Sequence, residues 1–375
     1  MRIARWLNDF RNRGVLAALG FTLLIVLFTV SHHAPKPSKI QTHFGTQTAP
    51  ASLLASPTGS ASAPSGSSAV TTAPGTPKNT VTAIETPVPP SPSVIAARQL
   101  NVAGSNLLKT IVNIVCLSGD KSIPSISGTG VIIDSRGIIL TAAHVAQLFL
   151  LQDYLGTNKV QCLIRTGSPA RRAYLAEPIY VSPLWVAQNP GTLTTSSPEG
   201  TGENDFALLA ITATATSTPL PSSYPAISLS PEDPSIQEPV AISSYGAQYL
   251  TPTQLNYSLY PILVFGSIQK RYTYDKNTVD LVSIEGSAAS QEGSSGGGIA
   301  NANSQLVGTI TTSSIAGNIG TRFLNAITIN HMRRSFKADT GQNLDAVLQN
   351  QSLPSLIASF ANESKQLGQL LDKGL

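Results

Sequence analysis

The chain has 375 residues, a formal net charge of +4 and 12% charged residues. Four arginines, Arg2, Arg5, Arg11 and Arg13, crowd the extreme N-terminus, so the remainder is close to neutral. No later Lys/Arg cluster interleaves with aromatics, and a nucleic-acid partner is therefore excluded from the expectations.

Residues 1–13 read as a basic cytoplasmic segment. Val15 to Val30 follows without a single charge. As a helix this run spans roughly 24 Å at about 1.5 Å per residue. That is short of a hydrocarbon core of about 30 Å, but flanking Arg11 and Arg13 can snorkel, and Leu7 and Phe10 can extend the run. A transmembrane signal anchor over 14–31 is expected, with the membrane as partner. The arginines precede it, which places the N-terminus inside and the rest of the chain outside the cytoplasm. A cleaved signal peptide is the competing reading; no small-x-small site follows cleanly. Residues 32–98 are rich in Pro, Ser, Thr and Ala, with no sustained period, and are expected to form a disordered linker. Its reach is roughly 45 Å as a flexible chain.

Beyond Leu100 the texture changes to short β-rich runs separated by turn signals. Thr110 to Cys116, Gly130 to Ile133, Gly137 to Leu140, Val160 to Ile164, Ala173 to Val181 and Phe206 to Ile211 form one series. Asp134-Ser-Arg-Gly137 is the hairpin turn between two of them. A second series runs Pro239 to Ser243, Ile262 to Phe265, Val279 to Ser283, Gly298-Ile299, Gln305 to Ile310 and Phe323 to Ile329. The fold expected is all-β, two six-stranded antiparallel β-barrels over about 106–215 and 236–332, within a domain at 99–335. Residues 336–375 carry leucines at helical spacing and read as a helical tail packed on the second barrel. The two cysteines, Cys116 and Cys162, are open to two readings, a disulfide outside the cytoplasm or two buried thiols.

Acyl transfer by serine needs a base for the hydroxyl proton, a carboxylate to fix that base's tautomer, and donors aimed at the oxyanion. Ser295 in Gly293-Ser294-Ser295-Gly296-Gly297 is the candidate nucleophile, with Ser294 as neighbouring rival. The glycine register favours Ser295, whose N–H and that of Gly293 then form the oxyanion pair. His144, at the end of Leu140-Thr-Ala-Ala-His144, has the best context of the five histidines. Asp205 opens an apolar strand, as a buried carboxylate delivered to an imidazole would; Asp134 and Asp153 are weaker rivals. This chemistry calls for no metal and no cofactor.

The runs Ser127-Gly-Thr-Gly to His144, Asn204-Asp205-Phe-Ala-Leu-Leu, and Ala288-Ala289 ahead of Gly293-Ser-Ser295-Gly-Gly resemble the trypsin/chymotrypsin-like serine protease superfamily. The similarity is to its bacterial HtrA-type branch, without room for a PDZ domain, and covers approximately Asn106 to Met332. The resemblance implies His144 as general base, Asp205 as orienter and Ser295 as nucleophile in the cleft between the barrels, with proteins or peptides as substrates. It implies a primary specificity pocket floored by Ala289 and walled by Thr309, Ile310 and Thr311. No acid stands at the floor, so a small or apolar residue before the scissile bond is expected. Ser294 replaces the aspartate through which digestive members are activated by a new N-terminus. Gly298 stands where proline is usual.

Two other functions compete. Gly293-x-Ser295-x-Gly297 also fits the nucleophile elbow of α/β-hydrolases, but that fold needs its acid and then its histidine after the serine, and here His331 precedes Asp339. An inactive protease-fold binding module on the cell surface is the non-enzymatic alternative.

Overall fold

The computed structural model describes residues 92–194, 201–275, 277–313, 318 and 321–375. The anchor expected at 14–31 and the linker up to residue 91 lie outside the described residues. No helix among the described residues is long and apolar enough to cross a membrane.

The β-branched runs form strands as expected. In the first lobe Ile111–Ser118 (β1), Ile126–Asp134 (β2), Ile138–Thr141 (β3), Val160–Thr166 (β4), Arg171–Val181 (β5) and Ala207–Thr214 (β6) close a barrel in the order β1-β2-β3-β6-β5-β4. Both faces of β2, β3 and β6 are largely covered. Ile139 and Leu209 point into the barrel, while Ile138, Leu140 and Leu208 face the second lobe. The β2–β3 turn forms where expected: Arg136 N–H donates to Asp134 Oδ1 at 2.8 Å, and Gly137 takes φ +98°, a conformation costly for a residue with a Cβ. Cys116 faces Cys162 across β1 and β4, and the two are joined by a disulfide.

The second lobe holds Ser228–Leu229 (β7), Pro239–Ser244 (β8), Ile262–Ser267 (β9), Lys270–Tyr272 (β10), Leu281–Glu285 (β11), Gly298–Ala300 (β12), Gln305–Ser313 (β13) and Phe323–Thr328 (β14). The expectation of a second closed barrel is corrected. The order is β10-β11-β14-β13-β12-β8-β9, an open sheet, with β7 added beside β13. The cause is local. After β9 the chain turns at once, Gln269 N–H donates to Ser283 C=O, and β10 pairs Lys270 with Ser283. β10 thereby occupies the edge of β11 that β9 would need to close the barrel.

Seven α-helices occur among the described residues. The linker boundary expected at 98 shifts, because Pro92–Thr110 forms a helix, α1, with Ala103 and Leu107 fully buried. Leu107 packs where a Cβ on Gly298 would stand 2.8 Å away, so glycine at that position makes room for α1. Ala143–Leu155 (α2) leaves β3 directly; Pro183–Gln188 (α3) and Pro252–Tyr257 (α4) are single short turns. The tail folds as Ile329–Thr340 (α5), Leu344–Asn350 (α6) and Leu353–Asp372 (α7). Against expectation, α7 packs on α2 and β5 of the first lobe. Gly368 explains the close crossing: a Cβ there would lie 2.6 Å from the Leu150 carbonyl oxygen, so its absence lets the helices approach.

Candidate active site

His144 is the second residue of α2, preceded by Ala142 and Ala143, whose small side chains are fully buried at the barrel edge. Asp205 follows Asn204, which takes φ +59°, a left-handed conformation asparagine tolerates. Ser335 of α5 donates to Asn204 Oδ1 at 2.6 Å and holds that turn. Asp205 is 4% exposed and meets three donors. The His144 N–H reaches Oδ1 at 2.9 Å, the His144 ring Nδ1 lies 2.7 Å from Oδ2, and the Thr311 hydroxyl donates to Oδ2 at 2.5 Å. Burial alone would raise the Asp205 carboxyl; the imidazole beside it and these hydrogen bonds outweigh burial and hold it below its ordinary value. An ionised carboxylate only accepts, so the ring proton sits on Nδ1 and Nε2 keeps its lone pair. Burial alone would lower His144; the charge and hydrogen bond of Asp205 reverse that, and its pKa is raised.

The serine loop lies on the other lobe. Ser294 is 1% exposed and receives the Ser244 hydroxyl at 3.0 Å, whereas Ser295 is only half-buried. Gly293 and Gly296 have φ +87° and +85°. A Cβ on Gly296 would fall 2.0 Å from the Thr129 carbonyl oxygen and 2.3 Å from Thr141 Oγ1, so Ser295-Gly296 presses on β2 and on β3, the strand that leads to His144. The Ser295 hydroxyl makes no hydrogen bond to the His144 ring in this structure. Among the described residues the N–H groups of Gly293 and Ser295 donate to no acceptor, while those of Ser294 and Gly296 donate to Gln291 and Ile310.

The structure thus brings His144 and Asp205 into contact and sets Gly293 and Ser295 against Thr129 of β2, the neighbour of the strand leading to His144. The rival acids are elsewhere: Asp134 pairs with Arg136 at 2.7 Å and Asp153 accepts from Ser364 at 2.6 Å. The residues expected to form a pocket do not share one surface. Ala289 and Ile310 are 0% and 2% exposed in the core of the second lobe, and Thr309 is 1% exposed. Side chains alternate along a strand, so Thr311 turns its hydroxyl to Asp205 while Ile310 points inward. Arg322, 4% exposed, donates to the backbone of Ser290, next to Ala289, at 3.1 Å. The hydroxyl of Thr129 and the support from Ser335 were not identified as site residues from the sequence, and Thr311 was expected in the pocket wall, not as a donor to Asp205. Thr129 and Asn204 did stand inside the quoted motifs, the one visible signal.

A trypsin-like peptidase domain model matches residues 128–308. Among solved structures the chain is similar to that of the Rv3671c protease from M. tuberculosis in its active form, at 17% identity and a TM-score of 0.40, covering 68% of this chain and 88% of that one. A search of curated proteins returns no match. Residues 128–308 of this chain are thus a trypsin-like peptidase domain.

Proposed function

We propose that this chain is a serine endopeptidase acting outside the cytoplasm, tethered by the anchor at 14–31. The observation that carries the reading is the buried Asp205 carboxylate on His144 Nδ1 at 2.7 Å, which leaves Nε2 as a base in the lobe against which the Ser295 loop packs. The Ser295 Oγ adds to the carbonyl carbon of the substrate, its proton passes to His144 Nε2, and the carbonyl π pair moves onto oxygen. Gly293 and Ser295 N–H groups hold that oxyanion. Collapse breaks the C–N bond, and the leaving amine takes the proton from His144. Water then adds to the acyl ester by the same route, restoring the serine hydroxyl and releasing the acid.

A small or apolar residue before the scissile bond is preferred, since the expected floor position is Ala289 and carries no acid to pair with a basic side chain. A peptide panel cut best after Arg or Lys would overturn this preference.

The unmade Ser295–His144 hydrogen bond favours the second reading, an inactive module of protease fold. The deciding experiment exposes the full chain, purified in detergent, to a fluorophosphonate probe. Labelling lost in Ser295→Ala supports the peptidase; an unlabelled wild type selects the binding module.

A further inference from the structure

Four consecutive peptide planes around the serine are each fixed through their carbonyl oxygen. The Glu292 C=O accepts from Ala247 N–H at 2.7 Å, Gly293 C=O from the Thr129 hydroxyl at 2.7 Å, Ser294 C=O from Gly297 N–H at 2.9 Å, and Ser295 C=O from Thr129 N–H at 2.8 Å. In a trans peptide the N–H points opposite to the C=O. Fixing the planes 292–293 and 294–295 therefore turns the N–H groups of Gly293 and Ser295 to the side where neither meets an acceptor among the described residues.

Of these four bonds, the two made by Thr129 come from the first lobe, and one of them comes from a side chain. Thr129 is fully buried in β2. Its hydroxyl also accepts the Tyr245 N–H at 2.9 Å, so both its lone-pair and proton capacities are in use. Its own carbonyl receives the Thr141 hydroxyl at 2.6 Å, three residues before His144. One residue is thus bonded to the serine loop on one side and to the histidine strand on the other.

We infer that Thr129 is a positioning residue, which registers the Ser295 loop and its two free N–H donors against His144. The inference rests on the peptidase reading above. It acts on the reaction through other groups and touches no substrate. Removing the hydroxyl lets the 293–294 plane relax, and the adjoining Gly293 N–H loses its aim at an oxyanion formed on the first-lobe side. The ground-state binding of a peptide, which lies along other surfaces, is left largely unchanged.

The test compares wild type, Thr129→Val, Thr129→Ser and Ser295→Ala in the full chain at a temperature well below each melting point. In the fluorophosphonate reaction the Ser295 Oγ–P bond forms, the P–F bond breaks, fluoride leaves and the hydroxyl proton goes to His144. Loss of a single oxyanion donor lowers kcat by about 10²–10³-fold, and a misaimed donor is expected to cost about 10- to 100-fold. Thr129→Val should therefore lower both the labelling rate and kcat on fluorescein-casein by about 10- to 100-fold, with KM within about twofold and the pH midpoint unmoved. Thr129→Ser, which keeps the hydroxyl, should stay within about threefold of wild type.

A folded Thr129→Val with wild-type kcat overturns the inference while leaving the peptidase reading intact. So does a rise in KM with kcat unchanged, because that marks lost binding. Where Thr129→Val does not fold, Thr129→Ala, which leaves space for a water at the vacated hydroxyl, takes its place, and a folded Thr129→Ser with kcat down more than about tenfold overturns the inference. A wild type that neither labels nor cleaves overturns the peptidase reading, and the inference with it.

Discussion

Thr311 Oγ1 and the His144 ring meet the same oxygen of Asp205, at 2.5 and 2.7 Å. The carboxylate is held from both lobes and cannot rotate without breaking a buried hydrogen bond. Thr311→Val keeps the shape but removes one charge-assisted bond worth roughly 1.5–3 kcal/mol. We expect kcat/KM to fall by about tenfold, since only part of that energy is specific to the transition state. Asp205→Asn removes the acceptor that fixes the tautomer and should cost about 10⁴-fold in kcat. Steady-state kinetics on casein check both; a Thr311→Val enzyme slower than Asp205→Asn would contradict the ordering.

The pH profile follows from the raised pKa of His144. The base works only when neutral, so kcat/KM should climb through a midpoint above the ordinary histidine value of about 6.5. Asp205→Asn removes the charge responsible and should move the midpoint down. The stability linkage has the opposite sense to activity. A raised folded pKa gives stabilisation that is complete below the unfolded value and lost as pH rises through the folded one. A midpoint below 6 in the wild type would contradict this account.

Gly368 lies in a helix interior, where alanine is ordinarily better by roughly 1 kcal/mol. Here the added Cβ would meet the Leu150 carbonyl oxygen at 2.6 Å and the Tyr154 Cβ at 2.7 Å, both on α2. The clash is with backbone and is not relieved by a rotamer change. Overpacking costs about 1–3 kcal/mol, so Gly368→Ala should lower stability in denaturant titrations. Because α2 begins beside His144, kcat should fall as well. Increased stability would show that α7 can move off α2 at little cost.

His331 and Asp280 form a second histidine–carboxylate pair, with Nδ1 3.1 Å from the carboxylate and Nε2 buried without a hydrogen-bond partner among the described residues. Burial outweighs the attraction of Asp280, to which Arg334 is also bound, and its pKa is lowered. Below about pH 6.5 the unfolded chain takes up a proton that the folded chain resists, so stability falls with pH from there down to the folded value. His331→Gln should flatten the decline in melting temperature between about pH 6.5 and 5. An unchanged slope would assign the decline to other groups.

Much of this was legible in the sequence because strands of β-branched residues and glycine-flanked motifs leave local marks. Ser295, His144 and Asp205 carried such marks, and each stands at an element boundary. The helix α2 left none: Val145, Ala146 and Leu148 to Leu151 are all buried, so no polar face marks its period. The open second sheet depends on which strand reaches β11 first, and the short, exposed Lys270–Tyr272 has no apolar alternation to announce it. The resemblance made Ala289 a pocket floor and Thr309 to Thr311 its wall, but strand alternation turns Ile310 and Thr311 to opposite faces. Thr129 looked like a spacer between two glycines; its bonds to residues 245, 293 and 295 are invisible at that distance along the chain.

The strand order of the second sheet, with β7 and β10 set aside, repeats the cyclic order of the first barrel, broken at one seam. Corresponding loops can therefore be paired between the halves. His144 leaves the third strand of its half, and Ser295 lies between the third and fourth principal strands of the other. The proposed base and nucleophile thus occupy matching connections of the two halves, although their sequences share no visible repeat. Acid and nucleophile do not match in this way, since Asp205 lies between the fifth and sixth strands. On this reading a proton would cross between equivalent corners of two half-domains, and the symmetry ends at the carboxylate that orients the base.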